Sequence, residues 1–238
     1  MRNCAIVLAG GSGSRMKSSV KKQYLLMQGR PVLCYALDAF EACPQIQEII
    51  LVCGAGEEDQ CRTQIVDPYG YRKITQIVPG GKERYHSVYE GLNAAGECEY
   101  ILIHDGARPF VDAGIIERSF TSVEKYKACV AAVPVKDTIK LSTADGFVDQ
   151  TPPRELLWTI QTPQSFSYPL IKGAYDKLMS LEGKESDLKI TDDAMVAETF
   201  ADVPVRLVEG SYENIKITTP DDLLMADLIL RRRATVSE

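Results

Sequence analysis

The sequence predicts an α/β domain with a mostly parallel β-sheet that helices cover on both faces. Short runs rich in valine, isoleucine and leucine, such as AIVLA at 5–9 and YILIHD at 100–105, alternate with segments of helical pattern. Strands buried on both faces are typical of parallel sheets and occur as continuous apolar runs. The 238 residues contain no internal repeat and no linker, so we expect a single domain over 1–238.

The alternation continues through the first 135 residues. Strands are predicted at 5–8, 47–54, 74–78, 100–105 and 129–135. Helices are predicted between Pro31 and Pro44, near 57–66, after the loop GGKER, and at 113–126. Proline suits the first turn of a helix, where its missing N–H has no partner to lose, and it ends a helix further along the chain.

The pattern changes at position 136. The segment DTIKLSTADGFVDQTPPRELLWTIQ alternates polar and apolar residues on either side of a turn at Ala144, Asp145 and Gly146. Such a pattern is typical of a β-hairpin. Because the segment is too polar for the centre of a sheet, we expect an arm at about 136–161 that projects from the domain. Regular patterns resume at about 168, and the last helix begins at TTPDDL with Thr219 as its N-cap.

Composition argues against several classes of protein. The chain has 27 Lys and Arg against 33 Asp and Glu, a formal net charge of −6, whereas nucleic-acid-binding domains are usually basic. Seven irregularly spaced cysteines without a CxxC motif, and only two histidines, argue against a disulfide framework or a zinc site and favour a reducing cytoplasm. No apolar stretch is long enough for a signal peptide or a membrane span, so a membrane is not an expected partner. Because the net charge is negative, nucleic acid is not an expected partner either.

A glycine-rich segment, GGSGSRM at 10–16, follows the first strand. It lacks the GK[ST] of a Walker A loop and the third glycine of the dinucleotide fingerprint. Two interpretations stay open: a loop whose N–H groups bind phosphate, or an ordinary turn. Arg15, Lys21 and Lys22 favour the first, because backbone N–H groups alone do not neutralise the roughly four negative charges of a triphosphate. The alternative for the two lysines is a solvated pair.

Other polar residues follow predicted strands or lie on the arm. Asp105 in HDGARP suits a Mg²⁺ site or caps the next turn, and Ser87 either caps a helix or hydrogen-bonds a base. Lys216 lies between two isoleucines at a predicted strand end, where a lysine usually has a partner. Arg154 is either a bidentate phosphate anchor or a surface arginine, and His104 is expected to be structural. Ligands of open parallel sheets bind beyond the carboxyl ends of the strands, where most of these segments converge.

The chain resembles the 2-C-methyl-D-erythritol 4-phosphate cytidylyltransferase family over 5 to about 226. The resemblance rests on the following segments, in this order and spacing: LAGGSGSRM, KKQYL, GGKERYHSV, HDGARPF, VKDTIK, TPPRELLWTIQTPQ, ITDD and NIKITTPDD. Many nucleotidyltransferases share the glycine-rich loop, whereas HDGARP together with TPPRELLWTIQTPQ is much more specific. The resemblance implies a Rossmann-like sheet and a homodimer in which the arm crosses to the partner subunit.

The resemblance also implies roles for individual residues. Those expected to be catalytic, by stabilising charge in the transition state, are Arg15, Lys22 and Lys216. Those expected to bind the nucleotide are Ala9, Gly10, Gly11, Gly13, Gly81, Lys82, Ser87 and Asp105. Those expected to bind the sugar phosphate are Asp105, Ala107, Arg108, Thr138, Arg154, Thr162 and Thr191. Asp105 is also the expected ligand of Mg²⁺.

The chain departs from the usual pattern of the family in three segments. Gly10 and Gly11 stand where many members have Ala-Ala or Ala-Gly, and Lys21 replaces a usual proline. Lys82 occupies an often acidic position near the expected base pocket, so it bears on base selectivity.

The implied reaction transfers the cytidylyl group of CTP to 2-C-methyl-D-erythritol 4-phosphate, giving 4-diphosphocytidyl-2-C-methyl-D-erythritol and pyrophosphate, in isoprenoid precursor biosynthesis. A phosphate oxygen is the nucleophile and is largely anionic at neutral pH, so no general base is needed. Two alternatives stay open. One is a cytidylyltransferase for ribitol 5-phosphate, whose members tend to differ at Gly106 and Ala107. The other is a non-catalytic nucleotide-binding regulator, which the absence of Lys22, Asp105 or Lys216 would favour.

Overall fold

A computed structural model describes residues 2–11, 21–182 and 189–236. The strands in these ranges are β1 (Cys4–Leu8), β2 (Leu26–Met27), β3 (Arg30–Pro31), β4 (Glu48–Cys53), β5 (Ile74–Pro79), β6 (Tyr100–Asp105), β7 (Ala128–Pro134), β8 (Leu141–Ser142), β9 (Val148–Gln150), β10 (Trp158–Ser167) and β11 (Arg206–Glu209). The helices are α1 (Val32–Ala42), α2 (Glu58–Cys61), α3 (Asp67–Tyr69), α4 (Arg84–Ala95), α5 (Ala113–Tyr126), α6 (Tyr168–Ser180), α7 (Asp193–Ala201) and α8 (Pro220–Val236). A π-helical turn, Arg62–Val66, joins α2 to α3.

Seven strands form the main sheet in the order β11, β7, β10, β6, β1, β4, β5. The neighbours of β1 run parallel to it, and β10 alone is antiparallel to its two neighbours. The mostly parallel sheet predicted from the sequence is therefore confirmed. No described helix combines the length and the apolar character needed to cross a membrane.

The core lies on both faces of the sheet because successive residues of a strand point to opposite sides. In β1, Ala5 and Val7 pack in one apolar cluster with residues of α1 and α5, whereas Cys4 and Ile6 pack in a second cluster with residues of α4, α6 and α7. These four side chains, the first four of the five in β1, are inaccessible to solvent. This double burial explains why the strand is apolar at every position.

Short polar side chains define where three helices begin. Asp112 accepts a hydrogen bond from the Ile115 amide before α5, and Asp192 accepts one from the Met195 amide before α7. In the first turn of α8, Asp222 accepts hydrogen bonds from the amide and hydroxyl groups of Thr219, the residue before the helix. Thr219 precedes the helix, as expected for an N-cap residue. The carboxylate of Asp222 accepts from the Thr219 backbone amide, which has no partner within the helix.

The order of strands positions the site. From β1 the chain proceeds outward through β4 to β5 and then returns to β6 on the other side of β1. Leu8 at the end of β1 lies opposite Val52 in β4 and Asp105 in β6. Ligands bind at such a reversal, beyond the carboxyl ends of the strands.

The arm begins after β7, and its tip is the short exposed hairpin of β8 and β9. The predicted turn is confirmed at its tip, where Gly146 has a φ of +90°. The arm ends before the predicted boundary at about 161, because Trp158 already pairs with Pro134 in the main sheet. The composition of β10 does not indicate a buried strand, because its central residues Gln161 and Thr162 are polar. Both are nevertheless buried and hydrogen-bonded.

Gly91 in α4 provides a test of the packing between this helix and the sheet. A Cβ atom there would lie 2.8 Å from Ile6 and 3.1 Å from Val52, both fully buried. We expect Gly91→Ala to lower the free energy of unfolding by about 1–3 kcal/mol, the usual cost of overpacking a core, as measured by urea denaturation.

Gly173 in α6 is the matched control, because a Cβ atom there has nothing within 4 Å. Gly173→Ala should raise the free energy of unfolding by about 0.5–1 kcal/mol through helix propensity alone. Equal effects of the two substitutions would contradict the tight contact between α4 and β1.

Candidate functional site

A cleft of about 390 Å³ opens at the carboxyl ends of β1 and β6. Its walls come from the loop after β1, the segment 22–23, the loop between β5 and α4, the end of β6, and the segment before α8. Its lining residues are Leu8, Gly10, Gly11, Lys22, Gln23, Gly81, Lys82, Glu83, Arg84, Ser87, Asp105, Ala107 and Lys216. We call this space the first cleft.

The buried side chain of Gln23 holds one wall of the first cleft. Its amide group donates hydrogen bonds to the carbonyls of Ala9 and, at 3.3 Å, Gly11. Lys22 begins the adjacent 3-10 turn, Lys22–Tyr24, and lines the cleft. Lys21 pairs with Glu57 and does not line the cleft, although its side chain is 32% exposed. The loop after β1 is thus fixed to the turn that carries Lys22.

The opposite wall is the loop that leads into α4. The Ser87 hydroxyl accepts a hydrogen bond from the Gly81 amide at 3.1 Å and donates one to the Glu83 carbonyl. A Cβ atom on Gly80 would lie 2.7 Å from the Ser87 oxygen, so glycine permits this close approach. Ser87 therefore organises the loop and also faces the cleft.

A second cleft of about 330 Å³ continues from the first. Its lining residues are Arg84, Asp105, Arg108, Ile160, Gln161, Thr162, Gln164, Thr191, Asp192 and Lys216. Arg84, Asp105 and Lys216 line both clefts, so one carboxylate and two cations form the wall between them.

The carboxylate of Asp105 lies between these two cations. Its Oδ1 is 3.3 Å from Arg84 Nε, and its Oδ2 is 2.6 Å from Lys216 Nζ. Burial by itself would raise the pKa of Asp105, but Arg84 and Lys216 hold it well below the usual range. Asp105 is therefore ionised at neutral pH.

Lys216 lies on an irregular segment, which corrects the strand predicted for it. The preceding strand β11 ends at Glu209, and the segment is held instead by the Ile217 amide, which donates to the Ala107 carbonyl at 2.8 Å. Arg108 donates to the Asn214 carbonyl, and Asn214 donates to the Thr162 carbonyl. The isoleucines beside Lys216 pack against α8 rather than within a sheet, so alternation alone could not distinguish the two cases.

A chain of buried hydrogen bonds supports the end of β6. The Thr162 hydroxyl accepts from the Asp105 amide at 3.1 Å and donates to His104 Nδ1 at 3.0 Å. His104 Nε2 donates to the Arg108 carbonyl at 3.1 Å, because a carbonyl only accepts. Burial lowers the pKa of His104 to about 4, which keeps the ring neutral. His104 is thus structural, as expected.

A family model described as 2-C-methyl-D-erythritol 4-phosphate cytidylyltransferase (IspD) matches residues 3–232. The chain belongs to this family. The cytidylyltransferase of that name from Lachnoclostridium phytofermentans is 50% identical over 227 residues, covering 95% of each chain. The one from Alkaliphilus oremlandii is 45% identical over 233 residues, covering 98% of this chain and 96% of the relative.

A solved structure shows the same fold. The crystal structure of 4-diphosphocytidyl-2C-methyl-D-erythritol synthase from Anaerococcus prevotii matches with a TM-score of 0.84 at 38% identity, covering 97% of this chain and 96% of that chain. The structure of the cytidylyltransferase from Thermus thermophilus matches with a TM-score of 0.74 at 28% identity, covering 95% of this chain and 98% of that chain. The family and the fold therefore agree.

Most residues expected at the site of this family line one of the clefts. The first contains Gly10, Gly11, Lys22, Gly81, Lys82, Ser87, Asp105, Ala107 and Lys216, and the second contains Arg108, Thr162 and Thr191. Ala9 lies beneath the first cleft with its carbonyl held by Gln23. Thr138 and Arg154 are exposed on the arm, outside both clefts of their own chain, and Arg154 donates to the Lys136 carbonyl. Gly13 and Arg15 lie outside the described residues.

The sequence analysis did not assign roles to several residues of the clefts. The most central of these is Arg84, which touches Asp105 and lines both clefts. The others are the polar residues Gln23, Glu83, Gln161, Gln164 and Asp192 and the apolar residues Leu8 and Ile160. Arg84 occurs inside the quoted segment GGKERYHSV, so its position within a family motif was the available signal.

The donor set at Asp105 can be compared with the needs of Mg²⁺. Within 2–11, 21–182 and 189–236, no three Asp, Glu, His or Cys side chains form a metal-binding group. Mg²⁺ commonly takes one or two protein carboxylates and completes its shell with phosphate oxygens and water. A lone ionised carboxylate on the wall of a cleft fits such a phosphate-bridged ion.

Replacing Thr162 tests the chain of hydrogen bonds behind Asp105. Thr162→Val keeps the shape but leaves the Asp105 amide and His104 Nδ1 without a partner. We expect the free energy of unfolding to fall by about 2–4 kcal/mol, because each unsatisfied buried group costs about 1–3 kcal/mol. Chemical denaturation measures this change. Thr162→Ser is the control: it retains the hydroxyl and should lose about 1 kcal/mol or less. If serine were as destabilising as valine, the hydroxyl would have no such role.

Proposed function

We propose that this protein transfers the cytidylyl group of CTP to 2-C-methyl-D-erythritol 4-phosphate, with release of pyrophosphate. Membership of the cytidylyltransferase family supports the reaction. The observation that carries the proposal for this chain is the meeting of two clefts at Asp105, Arg84 and Lys216. A reaction between two phosphate compounds needs two adjoining sites with cations where they meet.

In this proposal CTP occupies the first cleft. The base lies against the loop 80–83, where Ser87 and backbone groups offer hydrogen bonds, and the triphosphate lies toward Lys22 and the glycine-rich loop. A site that hydrogen-bonds one base discriminates against others, because a wrong base leaves buried polar groups unpaired. Lys82, often acidic in the family, adds a cation to this wall without removing the Ser87 hydroxyl.

The polyol phosphate occupies the second cleft. Arg108 is directed at it and is mostly buried, which lowers its pKa from the ordinary value. Its Nη1 donates to the Asn214 carbonyl at 2.8 Å and its Nη2 to the Ile160 carbonyl at 3.4 Å, which fixes the guanidinium on the wall of this cleft. There its positive charge would attract the phosphate of the polyol. Thr162 and Thr191 lie on the same walls and suit the hydroxyl groups of the polyol.

The chemistry is then a substitution at the α-phosphorus of CTP. An oxygen of the polyol phosphate forms a bond to this phosphorus while the bond to the β-phosphate oxygen breaks, and pyrophosphate leaves with the electron pair. The nucleophile is already anionic, so the protein mainly supplies charge stabilisation. Lys22 and Lys216 do so, together with Arg15. Mg²⁺, which Asp105 would hold against the phosphates, neutralises phosphate charge when it is bound.

We also propose a homodimer in which the arm completes the site of the partner subunit. Large apolar side chains on the arm are exposed in the single chain: Leu141 by 47%, Phe147 by 71% and Leu156 by 74%. Exposed apolar surface of this kind supports an interface. All seven cysteines are free, which supports a reducing, cytoplasmic compartment.

Pyrophosphate release tests the reaction and its specificity. With 2-C-methyl-D-erythritol 4-phosphate present, CTP should be used far better than UTP, ATP or GTP. Ribitol 5-phosphate should be a poor acceptor. Lys22→Ala should lower kcat about 10²–10³-fold, as loss of one transition-state donor does, and so controls for contaminating enzymes. Comparable kcat/KM with UTP would contradict the base site, and preference for ribitol 5-phosphate would favour the alternative acceptor.

Mixing two inactive variants tests the crossed arm. Lys22→Ala and Arg154→Ala are combined under conditions that exchange subunits. If Arg154 serves the partner's site, one site of each heterodimer has both defects and the other has none. Half of the molecules are heterodimers at statistical mixing, so activity should recover to about a quarter of the wild-type value. Continued inactivity, with exchange confirmed by native mass spectrometry, would show that Arg154 acts in its own subunit.

A further inference from the structure

Arg84 differs from the other cations of the clefts in how it is held. Its two terminal nitrogens each lie 2.8 Å from an oxygen of Asp193, a bidentate pair, while its Nε reaches Asp105. The Tyr175 hydroxyl donates a hydrogen bond of 2.6 Å to Asp193 Oδ1, which also accepts from Arg84 Nη1. Burial opposes the charged form of Arg84, but Asp193 and Asp105 raise its pKa well above the ordinary value.

Asp193 is fully buried, with a side chain that is 0% exposed, and it lines neither cleft. It is the first residue of α7, directly after Thr191 and Asp192, which line the second cleft. The terminal nitrogens of Arg84 therefore bind the start of α7, and its Nε binds the carboxylate at the end of β6.

Lys216 provides the contrast. Its side chain is 36% exposed, it contacts Asp105 through a single 2.6 Å bond, and a lysine stem is flexible. Lys216 can leave Asp105 to meet a phosphate. Arg84 cannot move without breaking a bidentate pair with a fully buried carboxylate, which makes it the fixed member of the wall.

We propose that Arg84, held by Asp193, is a positioning residue for both substrates. It orients Asp105 toward the first cleft and keeps Thr191 and Asp192 in place on the wall of the second cleft. The reacting phosphate groups of the two substrates are thereby held next to each other. This inference rests on the proposed function, since it concerns the order of the same two sites. Arg84 acts through these residues rather than as a ligand that exchanges onto phosphate.

The substitution Asp193→Asn tests the proposal, because Asp193 lines neither cleft and is linked to both through Arg84. If Arg84 positions both walls, Asp193→Asn should raise the KM of CTP and that of the polyol phosphate about tenfold, typical for loss of a group that orients ligating residues. Arg84→Lys, which loses the bidentate geometry, should act similarly. The double variant should be hardly worse than either single one, since both remove the same interaction.

Two other outcomes would overturn the proposal. If Arg84 bound phosphate directly, Asp193→Asn would free it, and the KM values would stay unchanged or fall. If the pair were only structural, the melting temperature would fall while both KM values per folded molecule stayed unchanged. Isothermal titration calorimetry measures the affinity of the first cleft for CTP independently of turnover. Failure of the wild-type protein to release pyrophosphate would instead contradict the proposed function itself.

Two further variants keep the test decisive if Asp193→Asn folds poorly. Tyr175→Phe removes one hydrogen bond from Asp193 and should raise both KM values about two- to fivefold, in line with the worth of a single hydrogen bond. Glu48→Gln is the matched control, because Glu48 is a buried carboxylate paired with Arg2 at the opposite ends of the strands. It should lower stability without altering either KM. Unchanged KM values in Tyr175→Phe would count against the proposal.

Discussion

The carboxylate of Asp105 between Arg84 and Lys216 is the interaction on which both clefts depend. A nearly buried carboxylate is costly unless cations compensate it. Here the cations come from α4, which directly precedes β6 in the chain, and from the segment before α8, where Lys216 lies 111 residues after Asp105. Satisfying one charge therefore brings these two segments together at the end of β6. The hydrogen bonds of Thr162 and His104 hold that end from behind.

Local charge matters more here than total charge. The chain has a formal net charge of −6, which opposes the approach of two polyanions. The clefts reverse this locally, with Lys22, Arg84, Arg108 and Lys216 on their walls. Because Arg84 is held by the buried carboxylate of Asp193 and Arg108 by the Asn214 carbonyl, these two cations need little reorganisation when charge develops in the reaction. Such preorganisation is usually the largest contribution to catalysis of this type.

The sequence predicted the features that depend on local pattern. Helix α5 was placed at 113–126, where it is observed, because a strong apolar periodicity begins after Asp112. The strand β10 was partly assigned to the arm, since its buried side chains are polar and their partners lie in other segments. Lys216 was placed on a strand for the complementary reason: alternation occurs without a sheet. The pairing of Arg84 with Asp193 spans 109 residues, and no local signal reveals it.

Most of the arm lacks packing partners among the described residues of its own chain. Its strands β8 and β9 have two and three residues, and an isolated two-stranded hairpin is marginally stable in water. Within its own chain the arm is held near its base, where Arg154 bonds the Lys136 carbonyl and Lys136 lies 3.6 Å from the Tyr212 ring centre. Leu141, Phe147 and Leu156 of the arm remain 47%, 71% and 74% exposed in their own subunit. A second copy that covers them, as in the proposed dimer, would stabilise the hairpin and bring Thr138 and Arg154 to the one place where an added cation and hydroxyl suit the chemistry, the partner's second cleft.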